Sequence, residues 1–115
     1  MNWNKLNDSA QLEEIKKESH QYPVLILKHS TRCSISSATL GRLERNWKQD
    51  EVGDLKPYFL DLIAYRSVSN QIAQEFGVEH ESPQAIVIRN GESVYDTSHF
   101  DITFDAIKAQ AAALV

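Results

Sequence analysis

The most informative part of the sequence is residues 23–36, which read Pro23-Val24-Leu25-Ile26-Leu27-Lys28-His29-Ser30-Thr31-Arg32-Cys33-Ser34-Ile35-Ser36. Residues 24–28 predict a strand with apolar side chains on both faces, which is typical of a central parallel strand. The polar residues 29–32 predict a turn. A helix follows over residues 33–49, and its apolar stripe consists of Ile35, Leu40, Leu43 and Trp47. The stretch therefore predicts a buried strand, a polar turn and a helix that begins at Cys33.

Helices and strands alternate along the rest of the chain. The other predicted elements are a helix over residues 7–19 capped by Asp8 or Ser9, a strand over residues 57–63, a helix from Ser67 or Ser69 to Phe76, strands over residues 85–88 and 93–96, and a last helix capped by Thr103 with a stripe at Phe104, Ile107, Ala111 and Leu114. Gly77 supplies the left-handed residue that closes the third helix. Asn90-Gly91 predicts a tight hairpin between the last two strands, since both central residues of such a turn need positive φ.

This order, α-β-α-β-α-β-β-α, predicts an α/β fold. The first strands form parallel pairs joined by right-handed crossovers, whereas the terminal hairpin can only be antiparallel. The simplest assembly is a four-stranded mixed sheet with helices on both faces, built as a single domain over residues 1–115.

Composition excludes several classes of protein. The 115 residues carry 12 Lys and Arg against 16 Asp and Glu, a net charge of −4, which argues against binding nucleic acid through its phosphates. The sequence lacks an apolar run of the length that a signal peptide or membrane span needs, so we expect a cytoplasmic protein that does not enter a membrane. Cys33 is the only cysteine, which excludes an internal disulfide.

The chemistry of this chain depends on whether Cys33 is reactive. The N–H groups at a helix start lack intrahelical partners and favour a negative charge, so a thiolate at this position is stabilised, and Arg32 adds to the effect if it turns inward. A stabilised thiolate is also a better leaving group from a mixed disulfide. The alternative is a buried cysteine that only fills the core, although a polar turn is a poor place for one.

Other candidate residues carry weaker signals. Pro83 precedes the third predicted strand, and base frequencies alone favour a trans Ser82–Pro83 bond. Of the four histidines only His29 lies near Cys33 in sequence, and it is interpreted as a solvated loop residue. Neither the histidines nor the single cysteine shows the spacing of metal ligands, so no metal is expected.

The run Lys28-His29-Ser30-Thr31-Arg32-Cys33-Ser34-Ile35-Ser36 resembles the monothiol bacilliredoxin family, thioredoxin-like proteins of the bacillithiol system with the motif Thr-Cys-Pro-Ile-Ser. Ser34 replaces the proline of that motif, and Arg32 replaces a second threonine. The resemblance implies a thioredoxin-like fold with Cys33 as the nucleophile and Ser36 where dithiol relatives have a resolving cysteine. It also implies that Ser82 and Pro83 form a cis-proline loop. The residues it assigns to substrate binding are Thr31, Arg32, Ser34, Ser36, Ser82 and Pro83.

The function implied by this resemblance is removal of bacillithiol from mixed disulfides on client proteins. Cys33 would take up the bacillithiol, the thiol co-substrate, and free the client thiol. Because Ser36 cannot resolve that adduct, an external thiol or a dithiol reductase would be needed to release Cys33. The partners implied are bacillithiolated clients and this reductant.

Two other functions remain open from the sequence. Cys33-Ser34-Ile35-Ser36 has the Cys-x-x-Ser form of monothiol glutaredoxins, which hold an iron–sulfur cluster, although those usually have glycine where Ser34 stands. The chain could also be a noncatalytic thioredoxin-like adaptor in which Cys33 is incidental.

Overall fold

The computed structural model describes residues 1–113 and contains a mixed sheet enclosed by four helices. The strands are β1 (Asn4–Lys5), β2 (Val24–His29), β3 (Lys56–Asp61), β4 (Gln84–Arg89) and β5 (Glu92–Ser98). The helices are α1 (Gln11–Glu18), α2 (Ser34–Asn46), α3 (Arg66–Phe76) and α4 (Phe104–Ala113), with short 3₁₀ turns at Gln49–Glu51 and His99–Asp101. No helix within residues 1–113 combines the length and the apolar character needed to cross a membrane.

The sheet has five strands in the order β1-β3-β2-β4-β5, so the prediction of four strands is wrong. The additional strand, β1, runs parallel to β3 at the sheet edge, where Asn4 pairs with Tyr58 and Lys5 with Phe59. The element order therefore begins with a strand. A two-residue strand carries no alternating pattern, so only its pairing with a distant part of the chain reveals it.

Local signals predicted several element ends correctly. Gly77 closes α3 with φ 63°, and Asn90 and Gly91 both take positive φ in the hairpin turn. Thr103 caps α4 by accepting a hydrogen bond from the Ala106 N–H at 3.2 Å. The predicted stripe residue Leu114 lies outside the described residues.

Other predicted ends are wrong. Helix α1 begins four residues later than predicted, because residues 7–10 form a turn in which Asp8 accepts a hydrogen bond from the N–H of Ala10. Asp8 thus caps that turn, and α1 has no side-chain cap. Helix α2 ends at Asn46 instead of residue 49, and α3 begins at Arg66, one residue before the earlier of its two predicted starts.

Strand β2 lies at the centre of the sheet and is buried along its whole length. It pairs parallel with β3 and antiparallel with β4. Val24 and Ile26 pack in one core cluster with residues of α1 and α3, whereas Leu25 and Leu27 pack in a second cluster with residues of α2 and α4. The prediction of a central strand with both faces buried is confirmed.

A polar cluster around Glu18 ties the end of α1 to β3. The Glu18 carboxylate accepts hydrogen bonds from the hydroxyls of Tyr22 and Tyr58 at 2.5 and 2.6 Å and from the Lys56 ammonium at 2.8 Å. Burial raises the pKa of Glu18, but these three bonds outweigh it, so the net pKa is lowered. Burial and the bond to Glu18 raise the pKa of Tyr58 to about 12.

We expect Glu18→Gln to reduce the free energy of unfolding by about 1–3 kcal/mol at neutral pH, because three donors lose a charged acceptor. Since the folded pKa of Glu18 is lowered, its stabilisation is present above its ordinary value and is lost as the pH falls through the folded value. Urea denaturation at neutral and at acidic pH should therefore show a difference between variant and wild type that shrinks in acid. Glu13→Gln, at an exposed position on the same helix, should have little effect; an equal loss there would contradict the assignment.

Candidate active site

Cys33 lies at the N-cap position of α2, directly after the turn that follows β2. Its backbone is extended, with φ −109° and ψ 120°. Its N–H donates to the carbonyl of Ser30 at 3.2 Å, and its carbonyl accepts from the N–H of Ser37 at 3.1 Å. The side chain is partly exposed. The structure therefore places the only thiol at a helix start, as predicted, and not among the aliphatic side chains of the core.

The start of α2 has backbone N–H groups that can stabilise a negative charge. The first N–H groups of a helix have no intrahelical acceptor, and the helix dipole favours an anion there. A capping side chain normally accepts from one of them. In α2 no side chain makes that capping hydrogen bond. The Cys33 side chain makes no such bond either, so the N–H groups at the start of α2 have no side-chain acceptor in residues 1–113.

The loop before β4 lies at the same end of the sheet as the Cys33 turn, at the carboxyl end of β2. The Ser82–Pro83 peptide bond is cis, although base frequencies alone favoured trans. Gln84 pairs with Lys28 across β2 and β4, so Pro83 lies one position further towards the turn that carries Cys33. Pro83 is buried, and its carbonyl accepts a hydrogen bond from the N–H of His99 at 3.1 Å. The fold therefore brings the cis-proline loop and the Cys33 turn to one edge.

The residues predicted to bind substrate differ in exposure. Thr31, Arg32 and Ser34 are exposed around Cys33. Ser82 is partly buried, and its hydroxyl oxygen is buried with no hydrogen-bond partner among residues 1–113. Ser36 is 1% exposed, so its side chain faces the interior. Three of these side chains are thus exposed next to Cys33, Ser82 is partly buried, and Ser36 and Pro83 are buried.

Ser36 and His29 form a buried hydrogen-bonded pair behind Cys33. The Ser36 hydroxyl oxygen accepts from the N–H of Ser30 at 3.1 Å and lies 2.7 Å from Nδ1 of His29. Burial lowers the pKa of His29 by more than the charges of Asp61 and Glu44 raise it, so the net pKa is lowered. The Ser36 hydroxyl donates a hydrogen bond to Nδ1 of a neutral His29. The interpretation of His29 as a solvated loop residue is therefore wrong: it is the buried last residue of β2, and its ring lies against Phe59 with the centroids 5.4 Å apart.

Lys28, for which no role is predicted from the sequence, lies in the interior beneath the site. Lys28 is 0% exposed, and its ammonium donates to the carbonyl of Ser69 at 3.2 Å and to Nδ1 of His80 at 3.3 Å. Burial lowers the pKa of Lys28 to about 8. The sequence feature that indicates this burial is the position of Lys28 directly after the apolar residues of a central strand, whose side chains are buried on both faces.

The described part of the chain contains no group of three or more His, Cys, Asp and Glu side chains placed to hold a metal ion.

Comparison with known proteins identifies the family. Residues 4–107 match the family described as monothiol bacilliredoxin BrxC. The chain belongs to the monothiol bacilliredoxin family. It is also similar to a structure described as a candidate oxidoreductase with a thioredoxin fold, at 34% identity and a TM-score of 0.78, over 94% of this chain and 91% of that one. This bacilliredoxin-family chain is therefore a thiol redox protein with a thioredoxin-like fold.

More distant thioredoxins share the fold. The thioredoxin of Malassezia sympodialis is 17% identical with a TM-score of 0.74, over 97% of this chain and 90% of that one. The thioredoxin of Fasciola hepatica is 14% identical with a TM-score of 0.70, over 96% and 97%. At these identities the likeness shows the common architecture alone.

We expect Ser36→Ala to reduce the free energy of unfolding by about 1–3 kcal/mol, because the N–H of Ser30 loses its acceptor and Nδ1 of His29 loses its donor in a buried setting. Ser37→Ala removes an exposed hydroxyl from the same helical turn and serves as the matched control. Chemical denaturation of both variants measures the difference. Equal stabilities of the two variants would show that the hydrogen bonds of Ser36 contribute nothing to the free energy of unfolding.

Proposed function

We propose that this protein removes bacillithiol from mixed disulfides on client proteins, with Cys33 as the attacking thiol. The observation that carries the proposal is the position of the only cysteine: partly exposed, at the uncapped start of α2 and at the same sheet edge as the cis-proline loop. Membership of the monothiol bacilliredoxin family supports bacillithiol as the thiol that is transferred.

The reaction is two successive thiol–disulfide exchanges. In the first, the Cys33 thiolate attacks the bacillithiol sulfur, the client sulfur leaves as a thiolate, and a disulfide joins Cys33 to bacillithiol. In the second, an external thiolate attacks the bacillithiol sulfur of that adduct, and Cys33 leaves as a thiolate. Each step breaks one S–S bond and forms one, so electrons balance without a metal or other cofactor.

We expect the position of Cys33 at the start of α2 to favour the second step. The unpaired N–H groups and the dipole of a helix start stabilise a nearby thiolate, and a more stable thiolate departs faster from a mixed disulfide, whereas its gain as an attacking group is offset by lower nucleophilicity. Ser36 offers no sulfur to resolve the adduct, and the sequence contains no second cysteine. Release of Cys33 therefore depends on a thiol or a dithiol reductase from outside the chain.

The surface around Cys33 offers groups for the thiol and for the client. Thr31, Arg32 and Ser34 are exposed beside the sulfur, and Arg32 adds a positive charge. The loop before β4 contributes Ser82, whose buried hydroxyl is unpaired within the described chain. We propose that these residues, together with Pro83, bind the mixed disulfide, and that Ser36 supports them from inside.

The test uses the reduced protein and a client protein that carries one bacillithiol on a known cysteine. Intact-mass spectrometry without added thiol should show the client losing one bacillithiol and this chain gaining one on Cys33. Cys33→Ser should leave the client modified. Absence of the adduct from the wild-type chain would refute the mechanism and favour the noncatalytic adaptor.

The same client carrying glutathione tests the choice of thiol. Removal of bacillithiol at least about tenfold faster than of glutathione is expected if the site discriminates between the two, since that ratio needs only about 1.4 kcal/mol of differential binding. Equal rates would leave a general thiol redox protein and contradict the bacillithiol assignment.

We expect Ser36→Cys to remove the dependence on an external thiol for the first turnover. A thiol at this position of α2 lies one helical turn from Cys33 and can attack its adduct. Bacillithiol should then be released, and the disulfide that forms between the two cysteines should leave the chain two hydrogens lighter than its reduced form. Ser37→Cys, an exposed position next to it, is the matched control and should retain the adduct. An adduct that persists equally in both variants would contradict the proposed geometry.

A further inference from the structure

Two buried polar side chains, Lys28 and Gln84, lie side by side beneath the cis-proline loop. They are backbone partners across β2 and β4, and directly paired residues of antiparallel strands project from the same face of the sheet. Lys28 is 0% exposed and Gln84 1%. Gln84 directly follows Pro83, and Lys28 is the last residue but one of β2. This pair therefore lies between the sheet and the loop that ends at Pro83.

The pair holds three consecutive loop residues. Nε2 of Gln84 donates to the carbonyl of Glu79 at 2.9 Å, and Oε1 of Gln84 accepts from the N–H of Glu81 at 3.4 Å. Nζ of Lys28 lies 3.3 Å from Nδ1 of His80. Every residue from 79 to 81 is thus bonded to one of these two side chains. Ser82 and Pro83 follow directly.

The loop segment has no regular secondary structure of its own, since residues 78–81 form neither helix nor strand. A loop without internal pairing keeps one shape only if other parts of the molecule bond to it. The bonds from Lys28 and Gln84 supply that constraint. We call the two side chains together with His80 the loop anchor.

Lys28 is unusual for an interior residue. The described residues give it no salt bridge, and its hydrogen-bond partners are a carbonyl and an imidazole. A buried ammonium without a carboxylate costs free energy that an aliphatic residue at the same position of β2 would not. The four residues of the strand that precede Lys28, from Val24 to Leu27, are aliphatic. A stable core alone does not account for a lysine here.

We propose that Lys28 and Gln84 are positioning residues that hold the loop carrying Ser82 and Pro83 in the shape that binds the disulfide substrate, and that protonation of His80 loosens this hold. The proposal rests on the proposed function for the identity of the substrate. It assigns the control of substrate affinity to residues that lie outside the surface around Cys33.

The proton dependence follows from the donors and acceptors. A Lys28 ammonium has only protons to donate, so Nδ1 of His80 must be unprotonated for the 3.3 Å contact to be a hydrogen bond. A second proton on His80 would place two donors and two like charges face to face. Acidification therefore breaks the contact between Lys28 and His80 and leaves Gln84 alone to hold the loop.

The charged groups around His80 come from three elements. Burial lowers the pKa of His80, and Lys28 of β2 and Arg66 of α3 lower it further, whereas Glu81 of the same loop raises it. The hydroxyl of Ser69 on α3 lies 3.5 Å from Nδ1 and can also donate to it. The net effect keeps His80 neutral, and the anchor complete, at neutral pH.

The first experiment separates substrate binding from the reactivity of Cys33. Lys28→Met removes the ammonium and keeps an unbranched side chain that is one atom shorter; Gln84→Leu removes the amide group from the neighbouring strand and leaves an apolar side chain. We expect each variant to raise KM for the bacillithiolated client about tenfold. A rise of this size corresponds to a population in which the loop has the binding shape in only about one tenth of the molecules. The turnover number and the rate of Cys33 alkylation by iodoacetamide should stay within about twofold, because the small reagent does not need the loop.

Lys56→Met is the matched control. Lys56 pairs with Val24 at the opposite end of β2 and is bonded to Glu18, so its loss should lower stability and leave KM unchanged. A rise in KM in this control equal to that of Lys28→Met would overturn the proposal. So would a lower alkylation rate in Lys28→Met with unchanged KM, since Lys28 would then act on Cys33 through its charge.

The second experiment isolates the proton on His80. Wild-type KM should stay constant near neutral pH and rise at lower pH, below about 6.5, because burial and the neighbouring positive charges lower the pKa of His80 from its ordinary value. The amide carbonyl of His80→Gln can accept from Lys28 at any pH, so this variant should bind like wild type at the higher pH and lose the acid rise. An acid rise that persists in His80→Gln would overturn the role of His80.

A third measurement needs neither a variant nor activity. In NMR spectra of the wild-type protein, the amide signals of Glu81 and Ser82 should shift with the same midpoint as the ring signals of His80. Amide signals that stay fixed while His80 titrates would overturn the proposal even if every variant failed to fold. If the wild-type protein removes no thiol from any client, the proposed function fails, and this titration still decides whether the loop is anchored.

Discussion

The site depends on the burial of β2 between two helical layers. The strand is flanked by β3 on one side and β4 on the other, and its two faces pack in different core clusters. A strand fixed in this way has one register and one direction, so the turn at its carboxyl end has a fixed position. Cys33 lies at the end of that turn. The aliphatic core therefore sets where the thiol can be.

Groups that favour a negative charge lie beside Cys33. The start of α2 presents N–H groups without a side-chain cap, and Arg32 is exposed next to Cys33. Both favour an anion at the thiol. An arrangement of this kind suits a single thiol that alternates between a free thiolate and a mixed disulfide, and it gives no group that could serve as a second thiol.

Two polar pairs support the carboxyl edge of the sheet, one on each face of β2; the Ser36–His29 pair is buried, whereas the second pair joins the buried Lys28 to His80 in an exposed loop. On one face Ser36 and His29 join the first turn of α2 to the end of the strand. On the other face Lys28 reaches His80 in the cis-proline loop. Each pair includes a histidine whose pKa is lowered, first by desolvation. Both histidine rings are therefore neutral near physiological pH and gain a proton on acidification.

The sequence by itself determined the features that depend on neighbouring residues. The strand–turn–helix unit around Cys33, the left-handed Gly77, the Asn90-Gly91 turn and the Thr103 cap all follow from local backbone preferences and apolar spacing, and the run from Lys28 to Ser36 was enough to recognise the family. Only the tertiary structure decided the fifth strand, the cis bond before Pro83, and the burial of Lys28 and His29. These depend on groups far apart in the chain, such as β1 against β3 or Lys28 against His80, and no local pattern reports which distant group will lie opposite.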